Sequence, residues 1–316
     1  MAEIINKATR ESFGMALCEL GKTNKNIVAL DADLSGSTKT AMFQKAFPDR
    51  FFNCGIAEGN MISVAAGLAA CGKIPFAASF AMFATGRAYE QIRNSVAYPG
   101  LNVKIAGSHA GISVGEYGAT HQCCEDIALM KTLPGMTIIN PADHWEMLEA
   151  VKASVEYNGP VYLRLGRLAV DSFNDPDNYS FTLGKGITLH EGSDITVIAT
   201  GIVVKDALEA VLELEAQGIS ARLINIHTIK PIDEDIIVKA AKETGRIVTV
   251  EEHSVIGGLG DSVSDVTSRL CPVKVTKIGI QDRFGYSGPA KELLKLFGLS
   301  KENIAKVVSD IVKAEK

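Results

Sequence analysis

The stretch FFNCGIAEGNMISVAAGLAACG, from Phe51 to Gly72, contains the pattern that decides the fold class. A short apolar strand, predicted over residues 50–54, turns at Gly55 into an almost uncharged, Ala-rich helix predicted over residues 57–70. Short β-branched runs alternate with helical patterns along the whole chain, which is typical of βαβ units and parallel sheets. The sequence therefore predicts an α/β fold with mostly parallel sheets flanked by helices.

Sequence periodicity divides the chain into two α/β sets. The first set has further strands at residues 27–30, 74–78, 103–106, 137–139 and 161–164, and further helices at 7–22, 85–95, 125–131 and 145–157. The run DSFNDPDNYSFTLGKG, residues 171–186, loses periodicity and is rich in Asp, Asn, Pro and Gly, which indicates a linker. The predicted domains are therefore residues 1–170 and 187–316. In the second domain we predict strands at 195–199, 221–226, 246–250 and 273–278, helices at 203–217, 234–243 and 259–269, and an amphipathic final helix.

Composition excludes several classes of protein. A chain of 316 residues is long enough for about two domains. The net charge is −5 and the sequence has no run of basic residues, so we expect no nucleic-acid partner. No apolar stretch approaches the roughly 20 residues of a membrane span, and residues 1–6 lack a signal-peptide pattern, so we expect a cytoplasmic protein with no membrane partner. The six cysteines, without CxxC spacing, are interpreted as reduced core thiols rather than metal ligands.

Glu58 is the only charged residue between Phe51 and Cys71 and lies at the predicted start of a helix. Such a carboxylate is either an exposed first-turn residue favoured by the helix dipole or a buried acid kept for chemistry. Spacing alone favours the exposed position. Phe80 and Phe83 follow a buried strand, and aromatic residues at that spacing more often pack in a core than around a cofactor.

The Gly-rich run GSHAGISVGEYGATHQ, residues 107–122, is the stronger candidate for a ligand site. It carries His109, Glu116 and His121 at the carboxyl end of a predicted parallel strand, where open α/β sheets place their ligands. No third ligand is near enough in sequence to suggest zinc.

Three isolated arginines and one glycine-rich turn are weaker indications of a ligand site than the run 107–122. Arg10, Arg164 and Arg167 are interpreted as either anion ligands or surface charges. The turn GGLG, residues 257–260, lacks the GxGxxG pattern and its acidic ribose ligand, so a helix-packing turn is expected there rather than a nucleotide site.

Together, a series of motifs resembles the carboxyl-terminal half of transketolase, the thiamine-diphosphate enzyme that moves two-carbon ketol units between sugar phosphates. In chain order they are ATRESFG, DADLSGS, FFNCGIAEGNM, SFAMF, GSHAGISVGE, GATHQCCEDIALMKTLPGMTIINPAD and RLGR. The resemblance implies a pyrimidine-binding domain followed by the family's smaller third domain.

The resemblance also implies a partner chain. The family holds Mg²⁺ and diphosphate through a GDG segment and downstream asparagines, and no GDG is present here. An N-terminal transketolase subunit is therefore expected to carry that motif and the metal ligands. With it, the chain would form a split transketolase, assembled as a heterotetramer.

For the cofactor, thiamine diphosphate, the resemblance assigns four residues. Glu58 matches the catalytic glutamate that shares a proton with the aminopyrimidine ring. Phe80 and Phe83 match the aromatic residues packed around that ring, and Asp33 matches an aspartate close to the cofactor at a subunit contact.

For the sugar, the resemblance assigns a phosphate-binding group and a neighbouring histidine. The residues that match the phosphate-binding group are Arg10, Ser37, His109 and Arg167. His121 matches a histidine beside the substrate hydroxyls, where it either moves protons in catalysis or orients the sugar.

Two departures from the family pattern stand out. Tyr117, in GEYG, replaces the aspartate of the common GEDG near the reacting carbons, so we expect altered substrate binding at this position. Gly86 or Arg87 stands near the place of a third aromatic residue.

Three alternatives were weighed against transketolase. Deoxyxylulose-phosphate synthase shares the GIAE and THQ motifs but is normally one long chain. The beta subunit of a 2-oxo-acid dehydrogenase shares the architecture and the split, but not the sugar-phosphate residues. A non-catalytic structural subunit would be expected to lack Glu58 and the phosphate-binding group, which are all present.

Overall fold

A computed structural model describes residues 4–314 of the chain, so the first three residues of the segment 1–6 lie outside the described part. The N-terminal half begins with the strands and helices β1 (Asn6–Ala8), α1 (Thr9–Thr23), β2 (Ile27–Asp31), α2 (Ser35–Thr38), α3 (Thr40–Ala46), β3 (Phe51–Asn53), α4 (Glu58–Ala70) and β4 (Ile74–Phe80). It continues with α5 (Tyr89–Gln91), β5 (Lys104–Ser108), α6 (Asp126–Lys131), β6 (Thr137–Ile139), α7 (His144–Glu156), β7 (Val161–Arg164) and β8 (Ala169–Asp171).

The main sheet of this half has seven strands in the order β12-β6-β7-β5-β4-β2-β3, where β12 is Thr228–Lys230. All neighbours pair in parallel except β12, which is antiparallel to β6. The central strands β2, β5 and β7 are buried at every position, as expected for parallel strands covered by helices on both faces. The predicted α/β class is therefore confirmed.

The C-terminal half contains β9 (Ile187–His190), β10 (Ile195–Ala199), α8 (Val204–Ala216), β11 (Ala221–Asn225), α9 (Glu234–Thr244), β13 (Arg246–Ser254), α10 (Leu259–Leu270), β14 (Lys274–Ile280), α11 (Ala290–Leu296) and α12 (Lys301–Ala314). Its five-stranded sheet has the order β14-β13-β10-β11-β9, parallel except for β9. Local signals set its helix ends. The Asp233 carboxylate accepts the Ile236 N–H at the start of α9, and Gly245 closes that helix with a φ of 70°.

A shared strand pair and a shared apolar cluster connect the two halves in addition to the covalent chain. Strand β12 leaves the second half to pair with β6, and one apolar cluster extends from Leu30 and Ile105 to Ile198 and Ile229. No helix within residues 4–314 is long and apolar enough to cross a membrane. The division at residues 1–170 and 187–316 stays a prediction.

The predicted linker has no helix or strand over residues 172–186, but acidic side chains bind it to the helix start of α7. The Asp143 carboxylate accepts the N–H groups of Phe173 and Asn174 at 2.9 Å. The Tyr179 hydroxyl donates to buried Glu146 at 2.5 Å. Burial raises the pKa of Glu146 to about 7.

The largest correction to the predicted elements concerns the helix at 85–95. In its place, π-helical turns over Met82–Arg87 and Ile92–Ala97 flank the short α5. The Thr85 hydroxyl bonds back to the Ala81 carbonyl at 2.7 Å within the first wide turn. π-turns recur at functional sites, and this one carries Phe83 and Arg87.

Candidate active site

The site residues assigned from sequence lie along one edge of the main sheet, formed by the carboxyl ends of its parallel strands. The order across that edge is Glu58 after β3, Asp33 and Ser37 after β2, Phe80 at the end of β4, His109 after β5 and Arg167 after β7. Arg10 joins them from the start of α1, where its N–H approaches the Gly166 carbonyl at 3.4 Å. Ligands of open α/β sheets bind at this edge.

Glu58 is buried, with 1% of its surface exposed, so the exposed first-turn position favoured by spacing alone is wrong. Its carboxylate accepts from Nη1 of Arg87 at 2.8 Å and lies 3.4 Å from the Ser79 hydroxyl. Arg87 is 54% exposed, so a half-solvated cation partners a desolvated carboxylate. Charge spacing in the sequence did not show this, because Arg87 reaches Glu58 through the wide turn after β4.

A cluster of aromatic and imidazole rings lies at the same sheet edge. The rings of Phe80 and Phe83 stack at 5.9 Å, and the His109 ring stacks on Phe80 with 3.9 Å between ring centres. The His121 ring meets the edge of Phe83 at 5.4 Å. Phe80 is buried and Phe83 half-buried, so Phe83 is the ring of this pair that a ligand can reach more easily.

The loop after β2 is shaped by one buried carboxylate, Asp31. It accepts the Thr38 hydroxyl at 2.7 Å, the Thr40 hydroxyl at 2.9 Å and the Leu34 N–H. Burial raises the pKa of Asp31. This anchor explains how DADLSGS presents its residues toward the sheet edge, although the sequence analysis missed Asp31.

The same loop places the two assigned residues Asp33 and Ser37. Asp33 has a φ of 62° and is exposed, and its carboxylate accepts from the Asn53 amide at 3.1 Å. Ser37 contributes its main-chain carbonyl, which accepts from Nη1 of Arg10 at 2.7 Å.

Positive charge concentrates around His109. Burial and then the cations Arg10 and Arg167 lower the pKa of His109 to about 3, so its imidazole is neutral. The pKa of Arg10 is also lowered, first by burial and then by facing Arg167. The buried Nε of Arg10 has no hydrogen-bond partner within residues 4–314. An unpaired donor among mutually repelling cations is the environment of an anion site.

Tyr117 covers this group from the solvent side. The Arg167 guanidinium lies 5.2 Å from the centre of the Tyr117 ring, and His121 stacks on that ring at 5.4 Å. Tyr117 is 50% exposed. Arg167 is oriented by the Val114 carbonyl at 2.6 Å and by Glu116 at 3.1 Å.

The positions of Arg164 and of the GGLG turn decide two further interpretations made from the sequence. Arg164 is neither an anion ligand nor a surface charge, because it is buried and pairs with Asp126 at 2.7 Å. The GGLG run is the expected packing turn, since the Glu251 carboxylate accepts the N–H groups of Leu259 and Gly260 at the start of α10.

The cysteines are free, as expected, but they are not all core residues. Cys123 is buried, whereas Cys71, at the end of α4, is exposed. Within the described range 4–314, no cluster of three His, Cys, Asp or Glu side chains could hold a metal ion.

Residues 6–171 match the family described as "Transketolase, pyrimidine binding domain", and residues 184–304 match "Transketolase, C-terminal domain". The chain belongs to the transketolase family. A Methanocaldococcus jannaschii protein, named provisionally as a transketolase C-terminal section, is 53% identical over 98% of both chains. A 6-deoxy-6-sulfo-D-fructose transketolase subunit of Clostridium sp. (strain MSTE9) is 43% identical over 96% of this chain and 94% of its own length.

A solved structure supports the same placement. It is a split-gene transketolase in the form of an inactive beta4 tetramer, 51% identical, with a TM-score of 0.91 over 98% of this chain and 100% of that one. The chain is thus similar to C-terminal subunits of split transketolases, a family of transferases that use thiamine diphosphate. Transketolase activity belongs to the complex of which such a subunit is part.

The residues present fit the pyrimidine end of thiamine diphosphate. The desolvated carboxylate Glu58 and the half-buried ring of Phe83 both contact the Arg87 guanidinium, and this pairing suits a flat heterocycle that needs one acceptor and an apolar face. Ligands for the diphosphate and its metal are not assigned to this chain, whose sequence has no GDG.

Proposed function

We propose that this chain, joined to an N-terminal transketolase subunit that carries the GDG motif, transfers a two-carbon ketol unit from a ketose phosphate to an aldose acceptor. One observation carries the proposal: the buried carboxylate of Glu58, joined through Arg87 to the Phe83 ring, shares a sheet edge with the cation group around Arg10. Mg²⁺ is held by the partner. The complex is a heterotetramer of the cytoplasm. The beta4 tetramer of the solved relative supports oligomer formation by such a subunit, and the six free cysteines fit a reducing compartment.

Glu58 acts on the cofactor. Thiamine diphosphate, when bound, supplies the carbon nucleophile for attack on the ketose carbonyl. The Glu58 carboxylate holds a proton at the aminopyrimidine ring, where a general acid or base in a dry site is most effective. Phe80 and Phe83 orient the ring, and Asp33 lies where the partner subunit contacts the cofactor.

Arg10, Ser37, His109 and Arg167 bind the terminal anion of the sugar. The Nε of Arg10 is unpaired, and Nδ1 of the neutral His109 imidazole pairs with the Ser108 hydroxyl at 2.8 Å, which leaves the other ring nitrogen for the anion. An anion also relieves the repulsion between Arg10 and Arg167. The anion is a phosphate or, as in the name of the Clostridium relative, a sulfonate.

His121 and Tyr117 face the substrate between the anion and the cofactor. His121 contacts both Phe83 and Tyr117, and these contacts support a role for its imidazole at the sugar hydroxyls, in proton movement or orientation. Tyr117 determines which hydroxyl pattern is accepted near the reacting carbons.

The test is reconstitution with a GDG-bearing partner, a ketose-phosphate donor and an aldose-phosphate acceptor, with Glu58→Gln as the decisive variant. Loss of the general acid should lower kcat by about 100-fold to 10,000-fold. Glu146→Gln, which alters a buried carboxylate at the linker, serves as the matched control and should keep the parent rate. If Glu58→Gln turned over as fast as that control, Glu58 would have no part in the chemistry.

A further inference from the structure

The loop over residues 109–122 carries the side chains that face the sugar, yet it has little regular structure. It contains a single 3-10 turn, Gly115–Tyr117, and residues 110–115 are buried. Positive φ angles occur at His109, Gly111, Gly115 and Gly118. A buried segment without a sheet ladder needs side chains to satisfy its main-chain groups.

One of those side chains comes from the C-terminal half. Oε1 of Glu252, in β13, accepts the N–H of Ser113 at 2.6 Å, and both partners are buried. Gly111 passes so close that a Cβ there would lie 2.3 Å from the Glu252 carboxylate. The loop and the carboxylate are therefore fitted to each other.

A second connection runs through Gln122, at the end of the loop. Its side-chain amide donates to the Ile112 carbonyl at 3.2 Å and to the Tyr286 carbonyl at 2.9 Å. Tyr286 belongs to the segment between β14 and α11. The C-terminal half thus contacts the loop from two elements.

Glu252 is itself held rigidly. Its main-chain carbonyl accepts from Nη2 of Arg164 at 2.9 Å, and Arg164 is fixed by its buried pair with Asp126. Strand β13 lies inside its sheet, between β10 and β14. The carboxylate that reaches the loop is therefore presented from a fixed support.

We propose that Glu252 is a positioning residue through which the C-terminal domain sets the geometry of the sugar-binding loop, an inference that rests on the proposed function. The loop residue next to the bonded N–H, Val114, offers the carbonyl that orients Arg167 at 2.6 Å. Loss of the hydrogen bond between Ser113 and Glu252 would therefore shift the Val114 carbonyl and, through Arg167, disturb the anion site. Glu58 is bonded to Ser79 and Arg87 outside the loop, so the chemical step is affected less than sugar binding.

Two conservative substitutions of Glu252 distinguish the effect of its side-chain length from the effect of its charge. Glu252→Gln keeps an acceptor oxygen at the same distance without the charge, whereas Glu252→Asp keeps the charge but withdraws it by one methylene. Glu251→Asp is the matched control, because that neighbouring buried carboxylate caps α10 and has no bond to the loop. All three are measured by hydrogen–deuterium exchange of the isolated chain and by KM and kcat of the reconstituted complex.

In Glu252→Asp we expect faster exchange confined to residues 109–122, and a KM for the anionic donor raised about tenfold with little change in kcat. Glu252→Gln and Glu251→Asp should leave both readouts near the parent values. The proposal is overturned if Glu252→Asp leaves exchange in the loop unchanged, or if Glu251→Asp moves the loop equally. Exchange is measured without substrate or partner, so the result stands even if the parent complex transfers no ketol unit.

Discussion

The carboxylate of Glu58 lies 2.8 Å from Nη1 of Arg87. The same guanidinium lies 4.8 Å from the centre of the Phe83 ring, so one cation touches both the acid and the aromatic residue assigned to the pyrimidine. The resemblance predicts that Gly86 or Arg87 stands near the place of a third aromatic residue of the family pattern. Arg87 makes a cation–π contact with Phe83 and supplies the countercharge for the buried carboxylate of Glu58.

Removal of that countercharge should destabilise the isolated chain. Because Arg87 is half-exposed, water screens the pair, and we expect Arg87→Ala to lower the free energy of unfolding by about 1 kcal/mol. The measurement is urea unfolding of the parent, both single variants and the double variant with Glu58→Gln. In the Glu58→Gln background the loss should disappear, and a loss of equal size there would show that Arg87 acts by packing alone.

Arg167→Ala should raise KM strongly for phosphorylated or sulfonated sugars and little for an uncharged donor. A hydrogen bond to a charged group contributes about 1.5–3 kcal/mol, or roughly tenfold to a hundredfold in affinity. Steady-state kinetics of the reconstituted complex with charged and uncharged donors measures the difference. Lys185→Ala, which removes an exposed cation in the linker, is the control. Equal losses on both donors would refute anion binding by Arg167.

Tyr117→Asp should shift the donor range toward that of transketolases with GEDG. A phenol both donates and accepts hydrogen bonds, whereas a carboxylate only accepts. Tyr117→Phe keeps the ring that packs against Arg167 and His121 and serves as the control. The measurement is the relative kcat/KM of each protein over a panel of ketose donors. Identical donor profiles for the parent and Tyr117→Asp would show that Tyr117 does not contact the sugar.

His109 should not titrate between pH 5 and 8 in the isolated chain. Burial and the neighbouring cations disfavour its protonated form and lower its pKa to about 3. Below pH 6.5 the unfolded chain binds a proton at this residue that the folded chain does not, so acidification toward pH 3 costs stability. His109→Asn should therefore gain stability relative to the parent as the pH falls. An NMR titration of the imidazole, assigned with that variant, gives the direct measurement; a midpoint between 6 and 7 would contradict it.

The regular elements could be predicted from sequence where strands are buried on both faces and helices are long. Strand β6 (Thr137–Ile139) and strand β10 (Ile195–Ala199) match the predicted bounds, because apolar runs bounded by turns identify buried parallel strands. Four short strands, β1, β8, β9 and β12, were missed. Each has three or four residues, and its partner is distant in sequence, so no local pattern marks it.

The contacts of the candidate site were harder to predict from local sequence patterns than the regular elements. The burial of Glu58 depends on strand β4 and the π-turn that follow it in sequence, and Asp31 and Glu252 act through main-chain or hydroxyl contacts that spacing does not encode. Arg164 illustrates the same limit, since its role depends on Asp126, 38 residues earlier. The order of the motifs, by contrast, identified the family, because that order reflects the whole fold.

In the proposed complex this chain holds only the pyrimidine and sugar side of a divided active site. Calorimetric titration of thiamine diphosphate, with and without Mg²⁺, into the isolated chain, the GDG-bearing partner and their mixture tests it most directly. We predict weak binding to the isolated chain and tight, Mg²⁺-dependent binding to the mixture, since in the proposed complex the partner supplies the ligands for diphosphate and metal. Tight, Mg²⁺-dependent binding to the isolated chain would contradict the account.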